Sequence, residues 1–192
     1  STVTQLLESG SHIIAASDLY GGTGRYFDQV LSKFGIETTY SELGPGDLEA
    51  CARENTKMLW LETPTNPLLN IHDIAELSAK AHERGWLVVV DNTFASPVLQ
   101  RPLELGADIS CSSSTKYVAG HSNVISGYVV TRSEELNEKI ISYLKKELIN
   151  LIKSENLIDV RTPSFLNAKL SLNKKTNLVE LNSRVKNIDL IS

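Results

Sequence analysis

Four short stretches carry the residues that could do chemistry: Asp18–Thr23, Glu62–Pro67, Asp91–Phe94 and Ser112–Tyr117. The last sets one lysine, Lys116, among small hydroxyl residues that include Ser113 and Thr115. Hydroxyl and backbone N–H groups can hold a phosphate, and a lysine beside them supplies charge or a nucleophilic amine. Asp91 follows the apolar run Val88–Val90, where a carboxylate is costly unless it is paired. Tyr20 sits in a glycine-flanked turn, and its ring could lie on a planar ligand. Each feature also has a plain structural reading. Lys116 would be a solvated loop residue, Asp91 a helix N-cap, and Tyr20 a turn residue packed at a domain edge. As a set they are more specific. A lysine for a Schiff base, an acid for a pyridinium nitrogen, an aromatic for ring stacking and hydroxyls for a phosphate are the parts of a pyridoxal phosphate site.

The elements that must position these residues are legible around them. His12–Ala16, Ile36–Tyr40, Met58–Leu61, Trp86–Val90, Ile109–Cys111 and Val124–Thr131 read as short buried strands. Tyr26–Phe34 and Ile74–Glu83 place apolar residues three and four apart, as an amphipathic helix requires. Asp73 stands where it would cap the second helix, and Gly35 and Gly85 fall where helices stop. Strands alternating with helices predict an α/β domain with a mostly parallel sheet flanked by helices. Ligands of such sheets sit beyond the carboxyl ends of the strands, which is where all four stretches fall.

Composition bounds the rest. With 192 residues, 41% hydrophobic and 22% charged, the chain is ordinary for a globular protein and long enough to bury a core. A net charge of −4 argues against nucleic acid, because neutralising phosphates takes clustered Lys and Arg. Apolar stretches such as Trp86–Val90 are too short to span a bilayer, and no basic segment leads into an apolar run at the N-terminus, so neither membrane nor signal peptide is expected. Cys51 and Cys111 lie far apart and predict reduced thiols in a cytoplasmic protein. His12, His72, His82 and His121 share no ligand spacing, so no metal is expected. His82-Glu83 lacks the second histidine of a zinc-protease helix, and Gly21–Gly24 fails the dinucleotide spacing.

The composition changes near residue 140. All eleven glycines lie at or before Gly127, and Ile, Leu, Asn and Lys fill 30 of the 52 residues from Ile141 onward. That stretch carries +4 and the first 140 residues −8, which divides the chain into a core over 1–140 and a tail over 141–192, helical in part. Lys145-Lys146 and Lys174-Lys175 in the tail read as a solvated face, or as contacts for an acidic surface.

On the four motifs DLYGGT, ETPTNP, DNTF and STKYVAGHS, with Ser96-Pro97, Gln100–Leu103 and Gly106–Asp108 between them, the chain resembles the Cys/Met-metabolism, or trans-sulfuration, family of pyridoxal phosphate enzymes. The likeness runs in order from Ser1 to about Lys139. It implies the large domain of the aspartate-aminotransferase-like fold, and a role for each matching residue. Lys116 would form the Schiff base and move protons, Asp91 would pair with the pyridine nitrogen, and Tyr20 would stack on the ring and act as acid or base near the leaving sulfur. Asn66 would bind the ring 3′ oxygen, Ser113 and Thr115 the phosphate, and Arg25 would lie near the substrate. The implied reaction on a small sulfur amino acid is γ-elimination of cystathionine to cysteine, 2-oxobutanoate and ammonia. γ-Synthase and methionine γ-lyase reactions are the alternatives within the family.

The same comparison implies departures. A Gly-containing phosphate loop, an N-terminal arm that reaches a neighbouring subunit, and the small domain with its carboxylate-gripping arginine are all expected of the family and not found in this sequence. Asn123 stands where Asp is usual after Gly-His-Ser. Intact members are homo-oligomers, tetramers built from dimers. A reading of another class follows: a remnant that keeps the fold without catalysis.

Overall fold

A computed structural model describes residues 3–121, 123–154, 169–173 and 178–182. Its framework is a sheet of β1 (His12–Ala16), β2 (Glu37–Ser41), β3 (Thr56–Glu62), β4 (Leu87–Asp91), β5 (Ile109–Ser112) and β6 (Tyr128–Thr131). The spatial order is β2-β1-β3-β4-β5-β6; all pairs are parallel except β5–β6, which is antiparallel. Two backbone strands, β7 (Lys169–Asn173) and β8 (Leu178–Asn182), extend it as β6-β8-β7, with β8 meeting β6 at Val130↔Leu178.

Near-continuous apolar runs are what a sheet covered on both faces needs. Alternate residues separate into two cores. Ile14, Leu59, Leu61, Val88 and Val90 face α3 (Ile74–His82), which contributes Ile74, Leu77 and Ala81. Ile13, Ala15, Met58, Trp60, Val89 and Ile109 pack on the other face with Phe27, Leu31 and Ile140. Phe27 sets its ring edge-on to Trp60 at 5.3 Å. Wholly buried His12 survives inside β1 because Thr56 Oγ1 and Thr39 Oγ1 each lie 2.8 Å from a ring nitrogen, and burial lowers its pKa.

Several boundaries differ from the sequence reading. The first helix is not Tyr26–Phe34: α1 spans Gly21–Gln29, and a separate 3₁₀ turn covers Leu31–Phe34, closed by Gly35 at φ 74°. Three glycines in four residues concealed its first turn, since glycine is a poor helix former. Two short helices were not anticipated, α2 (Asp47–Cys51) and α4 (Ser96–Leu99). The last apolar run pairs only from Tyr128, and Ile125 within it is almost fully exposed. For α3 the Asp73 side chain does accept the Glu76 N–H, at 3.0 Å. Helix α5 (Glu134–Ser154) runs through the change in composition, with Leu136, Ile140 and Leu144 against the second core. Lys145-Lys146 side chains and the Lys174-Lys175 pair lie outside the described residues. No described helix is long and apolar enough to cross a membrane.

Candidate functional site

The strand order reverses direction between β1 and β3: β2 lies to one side of β1, and β3, β4 and β5 follow on the other. Such a switch point opens a crevice at the carboxyl ends of the strands. Asp18 and Tyr20 follow β1 there, Glu62 ends β3 and Asp91 ends β4, with Glu62 and Asp91 opposite each other in the register.

Asp91 is half-buried, and burial raises its pKa above the ordinary carboxylate value. Its Oδ1 accepts both the backbone N–H of Thr93, at 3.0 Å, and the Thr93 hydroxyl, at 2.6 Å. The same hydroxyl oxygen accepts the Ser113 N–H at 2.9 Å, so one threonine ties Asp91 to the loop after β5. Asp91 Oδ2 accepts nothing among the described residues. A half-buried carboxylate with one committed and one open oxygen suits a cationic N–H donor, and a protonated pyridine nitrogen is such a donor. The residues therefore fit the ring of pyridoxal phosphate at this corner.

The neighbouring strand end adds a residue the sequence reading passed over. Glu62 is 5% exposed, and its Oε2 accepts the Tyr20 N–H at 2.8 Å. Burial, with Asp91 and Asp18 nearby, pushes its carboxyl up to about 7, against the pull of the Tyr20 and Asn66 backbone N–H groups. Its sequence signal was present, a Glu at the end of the buried run Met58–Leu61. Asp18 is fixed in turn: its Oδ2 accepts from the Thr65 hydroxyl, and from the Leu68 N–H at 3.0 Å. Asn66 lies half-buried in that Thr65–Leu68 turn. Asn92 and Gln100 close the far side through a side-chain bond of 2.8 Å, and Gln100 also donates to the Thr63 carbonyl at 2.8 Å.

Tyr20 caps α1, and its ring is half-exposed over Gly22, where any Cβ would overlap it. Arg25 lies exposed one turn into the same helix. Lys116 is exposed in the loop after β5, beside an open cleft of about 800 Å³ lined by Phe94, Thr115, Tyr117, Asn123 and Ile125 among others. Phe94 and Tyr117 meet edge-on there at 6.2 Å. Asp91, Tyr20 and Asn66 do not line this cleft; the Thr93–Ser113 bond ties Asp91 to the loop that carries Lys116. The Thr115 hydroxyl is engaged with the Ser126 backbone, donating to its carbonyl at 3.1 Å and accepting its N–H at 2.8 Å. The Ser113 hydroxyl has no partner among the described residues.

Comparison with known proteins gives the chain's family. The chain is 44% identical over 141 residues to a probable cystathionine gamma-synthase of Herpetosiphon aurantiacus, covering 73% of this chain and 44% of that protein. It is 45% identical to a cystathionine gamma-lyase of Dictyostelium discoideum, covering 73% and 36% of the two chains. A cystathionine beta-lyase of Lactococcus lactis subsp. cremoris is 50% identical over 139 residues, covering 72% and 37%. Among solved structures, cystathionine gamma-lyase from Lactobacillus plantarum complexed with L-serine superposes with a TM-score of 0.73 at 47% identity, covering 74% of this chain and 38% of that one. The chain thus spans less than half the length of the curated relatives it matches. With its residues 1–154 matched by the family model as well, the chain belongs to the family described as Cys/Met metabolism PLP-dependent enzymes.

Proposed function

We propose that the chain carries the cofactor-binding core of a pyridoxal phosphate-dependent carbon–sulfur lyase that cleaves cystathionine by γ-elimination. The observation that supports it most is the Asp91 corner, a half-buried carboxylate with one open oxygen, joined through Thr93 to the loop that bears Lys116.

Pyridoxal phosphate, when bound, supplies an electron sink for charge that develops on the substrate carbons. The chain's own residues do the rest. Lys116 holds the cofactor through its amine and, once freed, takes and returns protons at the substrate carbons. Asp91 keeps the ring nitrogen's proton in place from its open oxygen. Tyr20 packs its ring against the cofactor and offers its hydroxyl proton to the departing sulfur. Asn66 binds the ring oxygen. Ser113 donates its hydroxyl to the phosphate, and Thr115 does so on releasing the Ser126 carbonyl. Arg25 stands at the substrate side.

All seven residues precede residue 140, so the reading assigns the site to 1–140. It describes a cytoplasmic enzyme, in keeping with the free thiols Cys51 and Cys111, and one whose full assembly is a homo-oligomer.

Two measurements test it. Borohydride treatment with pyridoxal phosphate, followed by peptide mass analysis, is expected to place a pyridoxyl group on Lys116. Incubation with cystathionine is expected to give cysteine and 2-oxobutanoate. Homocysteine with pyruvate would replace γ- by β-elimination, the reaction named for the Lactococcus relative. No adduct and no product would leave the non-catalytic remnant.

A further inference from the structure

We propose that Glu62 is a positioning residue, whose carboxyl holds the Tyr20 backbone across the β1/β3 switch point so that the Tyr20 ring is presented to the cofactor; this rests on the reading of the site given above. Tyr20 follows β1 and Glu62 ends β3, the two strands between which the crevice opens. One hydrogen bond joins them, Tyr20 N–H to Glu62 Oε2 at 2.8 Å. The Tyr20 peptide is also held from its carbonyl side, which accepts the Thr23 N–H at 2.8 Å and the Gly24 N–H at 3.2 Å as α1 begins.

The Tyr20 side chain cannot fix itself. It is 53% exposed, and its hydroxyl has no partner among the described residues. The direction of its ring therefore depends on the backbone, and the backbone on the two anchors. The helix supplies one of them, and Glu62 supplies the other.

Glu62 has no plainer task. It forms no ion pair among the described residues and lies opposite another acid, the half-buried Asp91. Packing alone would be served better by an apolar side chain, because a buried carboxyl without a cation is a cost. What the carboxyl adds is an acceptor for the Tyr20 N–H of one loop, with the Asn66 N–H of a second favouring its charged form. Both loops carry residues assigned to the cofactor ring. A carboxyl accepts whether or not it holds a proton, so the clamp needs the oxygen rather than the charge.

The full chain with Glu62→Gln and Glu62→Leu tests this, alone and combined with Tyr20→Ala. In Glu62→Gln, which keeps an acceptor oxygen, pyridoxal phosphate affinity is expected to stay within about threefold of the starting protein. In Glu62→Leu, which orphans the Tyr20 N–H, it should fall at least about fivefold. In the Tyr20→Ala background that loss should largely vanish, because residues acting through one another do not add. Equal losses in both backgrounds would overturn the role. A readout without cofactor stands beside these. Amide exchange in the segment 17–24 should speed up in Glu62→Leu and not in Glu62→Gln, with α3 unchanged in both. Unchanged exchange at 17–24, or faster exchange throughout the sheet, would also overturn it. If the unaltered chain forms no borohydride-stable adduct at Lys116, the functional reading fails and the role with it. That failure is told apart from the clamp's own by the exchange result.

Discussion

The carboxylate corner and the lysine loop, the two halves of the proposed site, are built to opposite standards. At the corner, Asp18, Glu62 and Asp91 are each held by neighbours, and Glu62 is nearly sealed from solvent. Fifteen residues of loop, 113–127, separate β5 from β6, and within them Lys116, Tyr117, Val118 and Ile125 are exposed. The first half is organised before any ligand arrives; the second displays apolar and reactive groups that only a further surface or ligand would cover. The contrast teaches that within this chain the acid end is fixed by the sheet, while the amine end is fixed by a loop tethered through Thr93–Ser113 and Thr115–Ser126.

The sharpest break is Lys116→Ala. It should abolish the borohydride-fixed adduct altogether and leave the urea midpoint unchanged, since the side chain is exposed. Asp91→Asn comes next. It replaces a charged acceptor by a neutral one, and pyridoxal phosphate affinity by spectral titration should drop about 10–100-fold.

A pH series would sharpen the comparison from the other side. Because the Glu62 carboxyl is raised to about 7 from 4.5, the folded chain binds a proton there that the unfolded chain releases earlier. Its contribution to stability is therefore complete below about pH 4.5 and is lost as pH rises through about 7, and raised Asp91 acts in the same sense. The loss from Glu62 is on the order of 3 kcal/mol, read as a falling urea midpoint, and Glu62→Gln should flatten it. Thr93→Val removes a donor to Asp91 and the acceptor for Ser113; it should cost about 1–2 kcal/mol and weaken the tie between the halves, seen as faster exchange at Ser113.

Much of the fold was readable because buried parallel strands write continuous apolar runs, as in His12–Ala16 and Leu87–Val90. Asp73 and the glycines at 35 and 85 marked the ends of helical turns, for local reasons that need no tertiary context. What escaped depended on distant partners. The first turn of α1 forms from glycines because the Tyr20 peptide is anchored at both ends. The apolar run from Val124 joins the sheet only at Tyr128, where β6 first meets β5 at Ser112↔Tyr128. In the site, the motifs named Lys116, Asp91, Tyr20 and Asn66 as a set. Thr93 as the hinge between them and Glu62 beneath Tyr20 could not be read, since both roles lie in cross-strand bonds separated by twenty residues or more.

The antiparallel turn at β5 and β6 has a consequence for how the lysine loop can vary. The loops after β1, β3 and β4 each lead into a connection that must carry the chain back to the opposite end of the sheet before the next parallel strand begins. The 113–127 loop leaves and re-enters the sheet at one place, Ser112 opposite Tyr128. Its length is therefore free of the sheet's topology. Two glycines inserted after Gly120 should shift stability by no more than a few tenths of a kcal/mol, checked by the same urea midpoint. The segment that holds the reactive amine is in this sense an exchangeable cassette, open to lengthening and redesign on a scaffold that would not register the change.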